Sequence, residues 1–424
     1  MKVFKFGGAS VKDASAVKNA GEILKQFDGE RLIVVISAMG KTTNGLEKVV
    51  NACYNKTGDA LEILEEIKSF HEKIMNELFE NNQHEVYQKV NNLFVEIEWV
   101  IEDEPRGYDF IYDQIVSFGE LISTTIVSAW LNENGINNSW LDIRDCLLTD
   151  NNYREAKVDW KQSEALFNEK ISGLLKTKSI IITQGFIGNT SENFTTTLGR
   201  EGSDYTAAII AHIMNAESVT IWKDVPGVLN ADPKFFNDAQ KLEQLSYLDA
   251  IELAYYGASV IHPKTIKPLE NKNIPLHVRS FLQPTAKGTT IGKDLQTKPL
   301  VPSFIFKTNQ VLISIAAKDF SFIAEENLSS IFGTFAEIGI KLNLMQNSAI
   351  SFSVCIDDDQ FKVPKLIERL KEDYRVRYNS DLQLYTIRHY YPSTIETLSA
   401  GRDILLEQRS RNTAQLVMKA EEKK

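Results

Sequence analysis

At 424 residues and 43% hydrophobic content, the chain is long enough for two or three domains with sizeable cores. A formal net charge of −10 argues against nonspecific nucleic-acid binding, and no basic stretch argues for it. Cys53, Cys146 and Cys355 are odd in number and far apart, so neither a disulfide frame nor a zinc site is expected, and they read as reduced core thiols of a cytoplasmic protein. Met1 leads directly into a strand, so no signal peptide is expected, and the longest apolar run, Leu32 to Ile36, is far too short to cross a bilayer.

In chain order, an alternating strand from Lys2 meets the paired glycines Gly7 and Gly8, and a helix follows from near Asp13, over Ala14 to Gln26. The glycine amides and the Lys5 ammonium suit the β- and γ-phosphates of a nucleotide, although a strand also ends in Gly-Gly simply because a turn is tight. Short apolar runs at Arg31–Ile36, Ser139–Ile143, Ser179–Thr183 and Ser218–Trp222 predict strands buried on both faces of a mainly parallel sheet. Gly40-Lys41-Thr42 imitates the tail of a Walker A loop, but Val35 stands where that pattern needs glycine, so no P-loop is predicted. Asp59 to Ile101 is long, charged and helix-periodic, and reads as a helical insertion over the sheet serving as a lid or a subunit contact.

The segment Thr195 to Ala208 packs hydroxyls, Arg200, a carboxylate and small residues into a turn that runs into an apolar helix from Tyr205 to Met214. Such a helix start offers unpaired N–H groups to an anion, and Arg200 can grip a carboxylate through two hydrogen bonds. An ordinary helix capped by Ser203 or Asp204 fits the same residues.

Near Phe281 the composition shifts to turn formers, Gln283 to Gly292 and Lys298 to Pro302, as at a domain boundary. Beyond it the pattern predicts strand Val311–Ile315, helix Glu326–Glu337, a turn at Gly339, strands Lys341–Met345 and Ala349–Ile356, and helix Val363–Glu372. Strand Leu384–His389, helix Pro392–Glu407 and strand Thr413–Met418 complete the series.

Lys5 to Gly8, Ser37-Ala38 with Thr43-Asn44, Ser117 to Leu121, Thr183 to Ile187, the Arg200 to Asp204 turn, Asp224 to Gly227 and Gly257 to Pro263 occur in the order found in the aspartate kinases of the amino-acid kinase family, which the chain resembles from Lys2 to about Pro284. The resemblance implies an α/β amino-acid kinase fold over residues 1–285, with a mainly parallel sheet and helices on both faces. Over 300–424 it implies α+β ferredoxin-like ACT domains, two of them interleaved, and either amino-acid sensing or dimerisation alone would explain them. The implied activity is ATP- and magnesium-dependent phosphorylation of the L-aspartate β-carboxylate, the first step towards lysine, threonine and methionine. A feedback-regulated homodimer joined through its ACT domains is expected, with no nucleic-acid or membrane partner.

A carboxylate nucleophile is already an anion at neutral pH, so the site needs cations and N–H dipoles rather than a general base. By resemblance, Lys5 and the Gly7 and Gly8 amides face the γ-phosphoryl group, with magnesium bridging the phosphates and no metal site of the protein's own. Asp204 orients Lys5, Arg200 holds the substrate α-carboxylate, Glu120 accepts from its ammonium, and Thr43 and Ser203 add hydroxyl donors. Lys223, Asp224, Lys234 and Ser259 fall on the nucleotide side. The chain departs from the family at Glu201 for a glycine, at Lys223 for a threonine, at Leu229 for a tyrosine, and at Ser259 for a phosphate-binding lysine. Glu201 is expected to point to solvent, and Lys223 or Lys234 to restore the missing charge. Gln346, Asn347 and Ser348 are the candidate effector contacts. Asp319 to Phe322 lacks the usual glycine and Ala349 replaces a glutamate of lysine-inhibited relatives, so lysine and threonine are comparable candidates. No homoserine dehydrogenase segment is expected. The alternatives are a kinase for glutamate or N-acetylglutamate and a catalytically silent amino-acid sensor.

Overall fold

The apolar runs become strands of an eight-stranded sheet in the spatial order Asn138–Leu141, Ile180–Gln184, Leu32–Ile36, Lys2–Phe6, Ser218–Lys223, Leu276–Ser280, Thr289–Gly292 and Gln244–Ser246. The computed structural model describes residues 1–104, 106–258, 261–295, 300–319 and 321–420. All pairings in this sheet are parallel except that of Leu276–Ser280 with Thr289–Gly292. Every residue of Leu32–Ile36 is buried, which requires cover on both faces and explains its unbroken apolar sequence. Phe6 pairs in register with Ile36 and with Trp222, and Ile36 with Gln184. The carboxyl ends of four neighbouring strands therefore finish level, which is where open α/β sheets place their ligands.

Local chemistry explains the first turn. A Cβ at Gly8 would lie 2.7 Å from the Ala38 carbonyl oxygen and 2.9 Å from that of Gly40, so only glycine lets the two loops approach. Asp13 then caps helix Ala14–Lys25, its Oδ1 accepting from the Ala16 amide at 2.8 Å. The predicted insertion is two helices, Ala60–Leu78 and Glu85–Glu102, whose apolar positions, Leu64, Ile67 and Ile74 on one and Val90, Phe94 and Ile97 on the other, are buried.

Tyr108–Glu133 has, by length and composition alone, 26 residues that could cross a membrane, a stretch that the search for unbroken apolar runs passes over. Within the fold 83% of its most apolar window is buried, and it forms helices Tyr108–Val116 and Phe118–Glu133 of the core. Ser117, Glu120, Ser123 and Thr124 interrupt its apolar residues, so no unbroken run announces it.

The chain divides into two compact units: Met1–Val228 with Lys241–Ile251 and Val260–Gln296, and Thr297–Lys424 with Leu229–Gln240 and Glu252–Ser259. The second unit is built on a six-stranded antiparallel sheet in the order Leu342–Asn347, Ser351–Asp357, Ser303–Ala317, Tyr374–Arg388, Thr413–Lys419 and Ile404–Arg409. Its two central strands are each 15 residues long. The half containing Val311, Ile313 and Ile315 packs with Ile331, Phe335, Leu366 and Leu370 of helices Glu325–Ile338 and Lys362–Asp373. The half containing Tyr385 and Ile387 packs with Ile395 of helix Pro392–Ser399 and Leu416 of the strand beyond. Two ACT-like modules thus share the central strands, the first with two helices packed on antiparallel strands and the second with helix Pro392–Ser399.

Three boundaries differ from expectation. The strands foreseen at Val311–Ile315 and Leu384–His389 are only parts of the long ones, because polar residues, Lys307 to Gln310 in one and Asn379 to Asp381 in the other, interrupt the apolar pattern. The helix foreseen at Pro392–Glu407 stops at Ser399, Gly401 turns the chain with φ +73°, and Ile404–Arg409 becomes an edge strand. The spacing of Ile404, Leu405 and Leu406 satisfies a helical pattern and a short strand equally, and tertiary pairing with Thr413–Lys419 decides.

Candidate active site

Lys5 leaves the first strand near its carboxyl end, and its Nζ sits 2.6 Å from Oδ1 of Asp204. Asp204 lies in the first turn of helix Gly202–Ile213, where the dipole favours an anion, and its other oxygen is 3.8 Å from Nζ of Lys223. Only 3% of the Asp204 side chain is exposed, against 12% for Lys5 and 24% for Lys223. Burial alone would raise the Asp204 carboxyl, but the Lys5 and Lys223 ammoniums outweigh it and hold the group below the usual carboxylate range. A Cβ at Gly7 would lie 3.3 Å from Lys5 Nζ, so glycine leaves the ammonium room to turn towards Asp204.

Lys5, Lys223 and Asp204 line a cavity of about 870 Å³ together with Ser37, Thr43, Glu120, Arg200 and Ser203. Thr43 arrives on the first turn of helix Thr42–Asn55 and Glu120 on that of Phe118–Glu133. Glu120 is buried; its Oε1 accepts from the Ala38 amide at 3.3 Å, while Oε2 has no hydrogen-bond partner among the described residues. Burial pushes this carboxyl up to about 8, against the pull of the Ala38 amide and of Lys5. A buried carboxyl with one unanswered oxygen on a cavity wall is a receptor for an incoming donor.

Arg200 is exposed on the turn before helix Gly202–Ile213. Neither Ser203 nor Asp204 caps that helix: Glu201 holds the cap position, with φ +54° and no side-chain capping bond. The left-handed backbone explains why glycine is usual there. Contrary to expectation, the Glu201 side chain does not point away to solvent. Its Oε2 accepts from the His262 amide at 2.9 Å, and His262 caps helix Pro263–Lys272 through Nδ1 to the Lys264 amide. The extra carboxylate is thereby turned into a tie for the loop before that helix.

Of the other predicted positions, Gly7 and Gly8 are not among the residues that line the cavity, and Asp224 is exposed just past the end of its strand. Lys234 belongs to the second unit, in a turn where its amide donates to Asp232 Oδ1 at 2.9 Å. Ser259 lies outside the described residues. Gln346 and Asn347 are exposed at the end of the edge strand, and the Ser348 amide donates to the Ser351 carbonyl at 2.8 Å in the turn that follows. Sequence reasoning passed over Tyr112, Arg154 and Phe186, which also line the cavity, and buried Asp113 behind it. Phe186 lies within the Thr183 to Ile187 motif but was given no role there; Tyr112, Asp113 and Arg154 lie in no motif, and contacts between distant segments bring them together.

Paired cations at the carboxyl ends of parallel strands, with a buried carboxyl and a guanidinium across the same cavity, are the equipment of a phosphoryl-transfer enzyme acting on a small charged acceptor. A family model described as the amino acid kinase family matches residues 1–280. The lysine-sensitive aspartokinase 3 of Escherichia coli K12 is 32% identical over 362 residues, 84% of this chain and 78% of that protein. The chloroplastic aspartokinase 2 of Arabidopsis thaliana is 31% identical over 87% of this chain and 69% of its own length. The chain spans 42% of the bifunctional aspartokinase/homoserine dehydrogenase 2 of the same plant, at 31% identity. Among solved structures, E. coli aspartokinase III in complex with aspartate and ADP matches 99% of this chain and 96% of that one, with a TM-score of 0.81 and 27% identity. The chain belongs to the amino acid kinase family, in its aspartokinase branch.

Proposed function

We propose that the protein transfers the γ-phosphoryl group of ATP to the β-carboxylate of L-aspartate, releasing ADP and 4-phospho-L-aspartate, the first step towards lysine, threonine and methionine. The observation that carries this reading is the polarity of one cavity: the Lys5 and Lys223 ammoniums on one side, and the unanswered Glu120 oxygen with Arg200 elsewhere on its wall. An amino-acid zwitterion with a side-chain carboxylate meets each of them. Glu120 accepts from the ammonium, Arg200 grips the α-carboxylate, and Thr43 and Ser203 donate hydroxyl hydrogen bonds. One β-carboxylate oxygen attacks the γ-phosphorus, the bond to the β-phosphate oxygen breaks, and no proton need move. Lys5, aligned by Asp204, stabilises the charge on the migrating group. Magnesium would come with the nucleotide, whose phosphates supply oxygen ligands of the kind it takes, and it would offset their charge. The aspartokinase relatives, and the aspartate and ADP bound by the E. coli enzyme, support the same assignment.

The ACT-like sheet supports feedback control of a homodimer by an end-product amino acid. ADP release by the purified protein, measured with aspartate, with glutamate and with no acceptor, tests the substrate; adding lysine, threonine and methionine, singly and together, tests the control. Release that needs aspartate and falls with an effector is expected, and equal rates with and without acceptor would overturn the reading.

Lys223 takes the place of the cation missing at Ser259 in this reading. Lys223→Ala is expected to raise the ATP KM about tenfold, the worth of one charged hydrogen bond at roughly 1.5 kcal/mol, and to leave the aspartate KM nearly unchanged. Steady-state kinetics beside Lys234→Ala checks it: the compensation fails if neither variant moves the ATP KM beyond twofold.

A further inference from the structure

The cavity carries a second guanidinium that the mechanism above does not use. Arg154 has a left-handed backbone, φ +67°, a conformation that glycine adopts freely and an arginine does not. Asp113 holds it there. The Asp113 Oδ2 accepts from the Arg154 amide at 2.9 Å and from the Thr197 amide at 2.8 Å, and Oδ1 accepts from the Thr197 hydroxyl at 2.7 Å. A Cβ at Gly199 would lie 3.1 Å from the Arg154 carbonyl oxygen, so the Arg154 turn abuts the residue that precedes Arg200. One buried carboxylate thus fixes both arginine-bearing turns against each other.

The side chain is aimed as well as placed. Its guanidinium lies 4.4 Å from the ring centroid of Tyr112, and the ring is anchored by a 2.8 Å hydrogen bond from its hydroxyl to Glu47. Its partner is the Asp109 carboxylate at 3.3 Å, which also lines the cavity. Arg154 is 43% and Asp109 61% exposed, so the pair is wet and exchangeable.

We propose that Arg154 is a second acceptor-binding residue, sharing the substrate α-carboxylate with Arg200, and that Asp109 occupies its guanidinium until the acceptor displaces it. The inference rests on the acceptor being the amino acid proposed above. Swapping one carboxylate for another keeps the guanidinium paired throughout, and it selects for an acceptor with an anionic group besides the one phosphorylated. Aspartate α-amide, which keeps the ammonium and the β-carboxylate but lacks that anion, should be a poor acceptor.

Arg154→Gly is the decisive variant, because glycine suits the left-handed backbone and only the guanidinium is lost. Expected are a melting temperature equal to wild type or higher, an aspartate KM raised at least tenfold, and kcat and the ATP KM within twofold. The preference for aspartate over its α-amide should narrow by a similar factor, and Arg154→Lys, with the charge but not the fork, should fall between. Asp109→Asn, which removes the competing carboxylate, should lower the aspartate KM two- to fivefold. Arg200→Lys, measured beside these, separates the failures. If it raises the aspartate KM while Arg154→Gly leaves both that KM and the α-amide preference within twofold, this inference falls and the acceptor assignment stands. An Asp109→Asn KM that does not drop overturns the displacement, and a wild type that does not release ADP with aspartate overturns both.

Discussion

Lys5→Ala is expected to lower kcat by two to three orders of magnitude while the aspartate KM moves less than threefold. The Lys5 ammonium is nearly buried and locked to Asp204 at 2.6 Å, so it meets the transferred group without prior reorganisation and in surroundings where its charge is poorly screened. Removing one such preorganised donor costs about 2.7–4 kcal/mol of transition-state stabilisation, which gives that range of rates. The effect should appear in kcat because negative charge shifts onto the migrating group only as the bond to ADP breaks. Asp204 would be left buried with Lys223 as its remaining ion-pair partner, so circular dichroism must accompany the kinetics. A native spectrum with turnover above a tenth of wild type would remove Lys5 from the phosphoryl site.

The second large effect is in pH dependence. Glu120, with its carboxyl near 8, is protonated in the free protein at neutral pH, yet an ammonium needs the carboxylate. Each pH unit below that value therefore takes about 1.36 kcal/mol from aspartate binding. The aspartate KM is expected to fall about tenfold per unit from pH 6 to near 8 and then level off. Stability carries the opposite sign. Between the ordinary carboxyl value and about 8 the folded state holds a proton that the unfolded chain releases, so the stability due to this group is lost as pH rises through that window. Glu120→Gln should flatten both dependences and stabilise the protein near pH 9 relative to wild type. A wild-type aspartate KM that is flat between pH 6 and 8 would place the ammonium elsewhere.

The strands of the parallel sheet were legible because burial on both faces leaves no room for polar residues, as in Leu32–Ile36. Lys5, Thr43, Glu120, Arg200, Ser203 and Asp204 were legible because each lies in a short motif at a strand or helix end, and the fold brings those ends to one cavity. What the motifs could not carry is long-range. Asp113 bonds to Thr197, 84 residues on, and to Arg154, 41 residues on, and nothing in the local sequence pairs them. Glu201 was misjudged for the same reason, since its partner amide is 61 residues away. In the second unit the polar stretches Lys307 to Gln310 and Asn379 to Asp381 gave no hydrophobic signal, although each lies inside one of the two long paired strands.

Those two strands have a consequence for how the ACT-like sheet can change over generations. Each runs unbroken from one module into the other, so neither module has an outline along which it could be excised. Deleting Thr413–Lys419 and Ile404–Arg409 would bare one flank of Tyr374–Arg388, a row of unpaired amides and carbonyls inviting association with another chain. The pair must be inherited, duplicated or discarded whole, and a lineage that dispenses with feedback is expected to silence the sheet by point substitution rather than by trimming it.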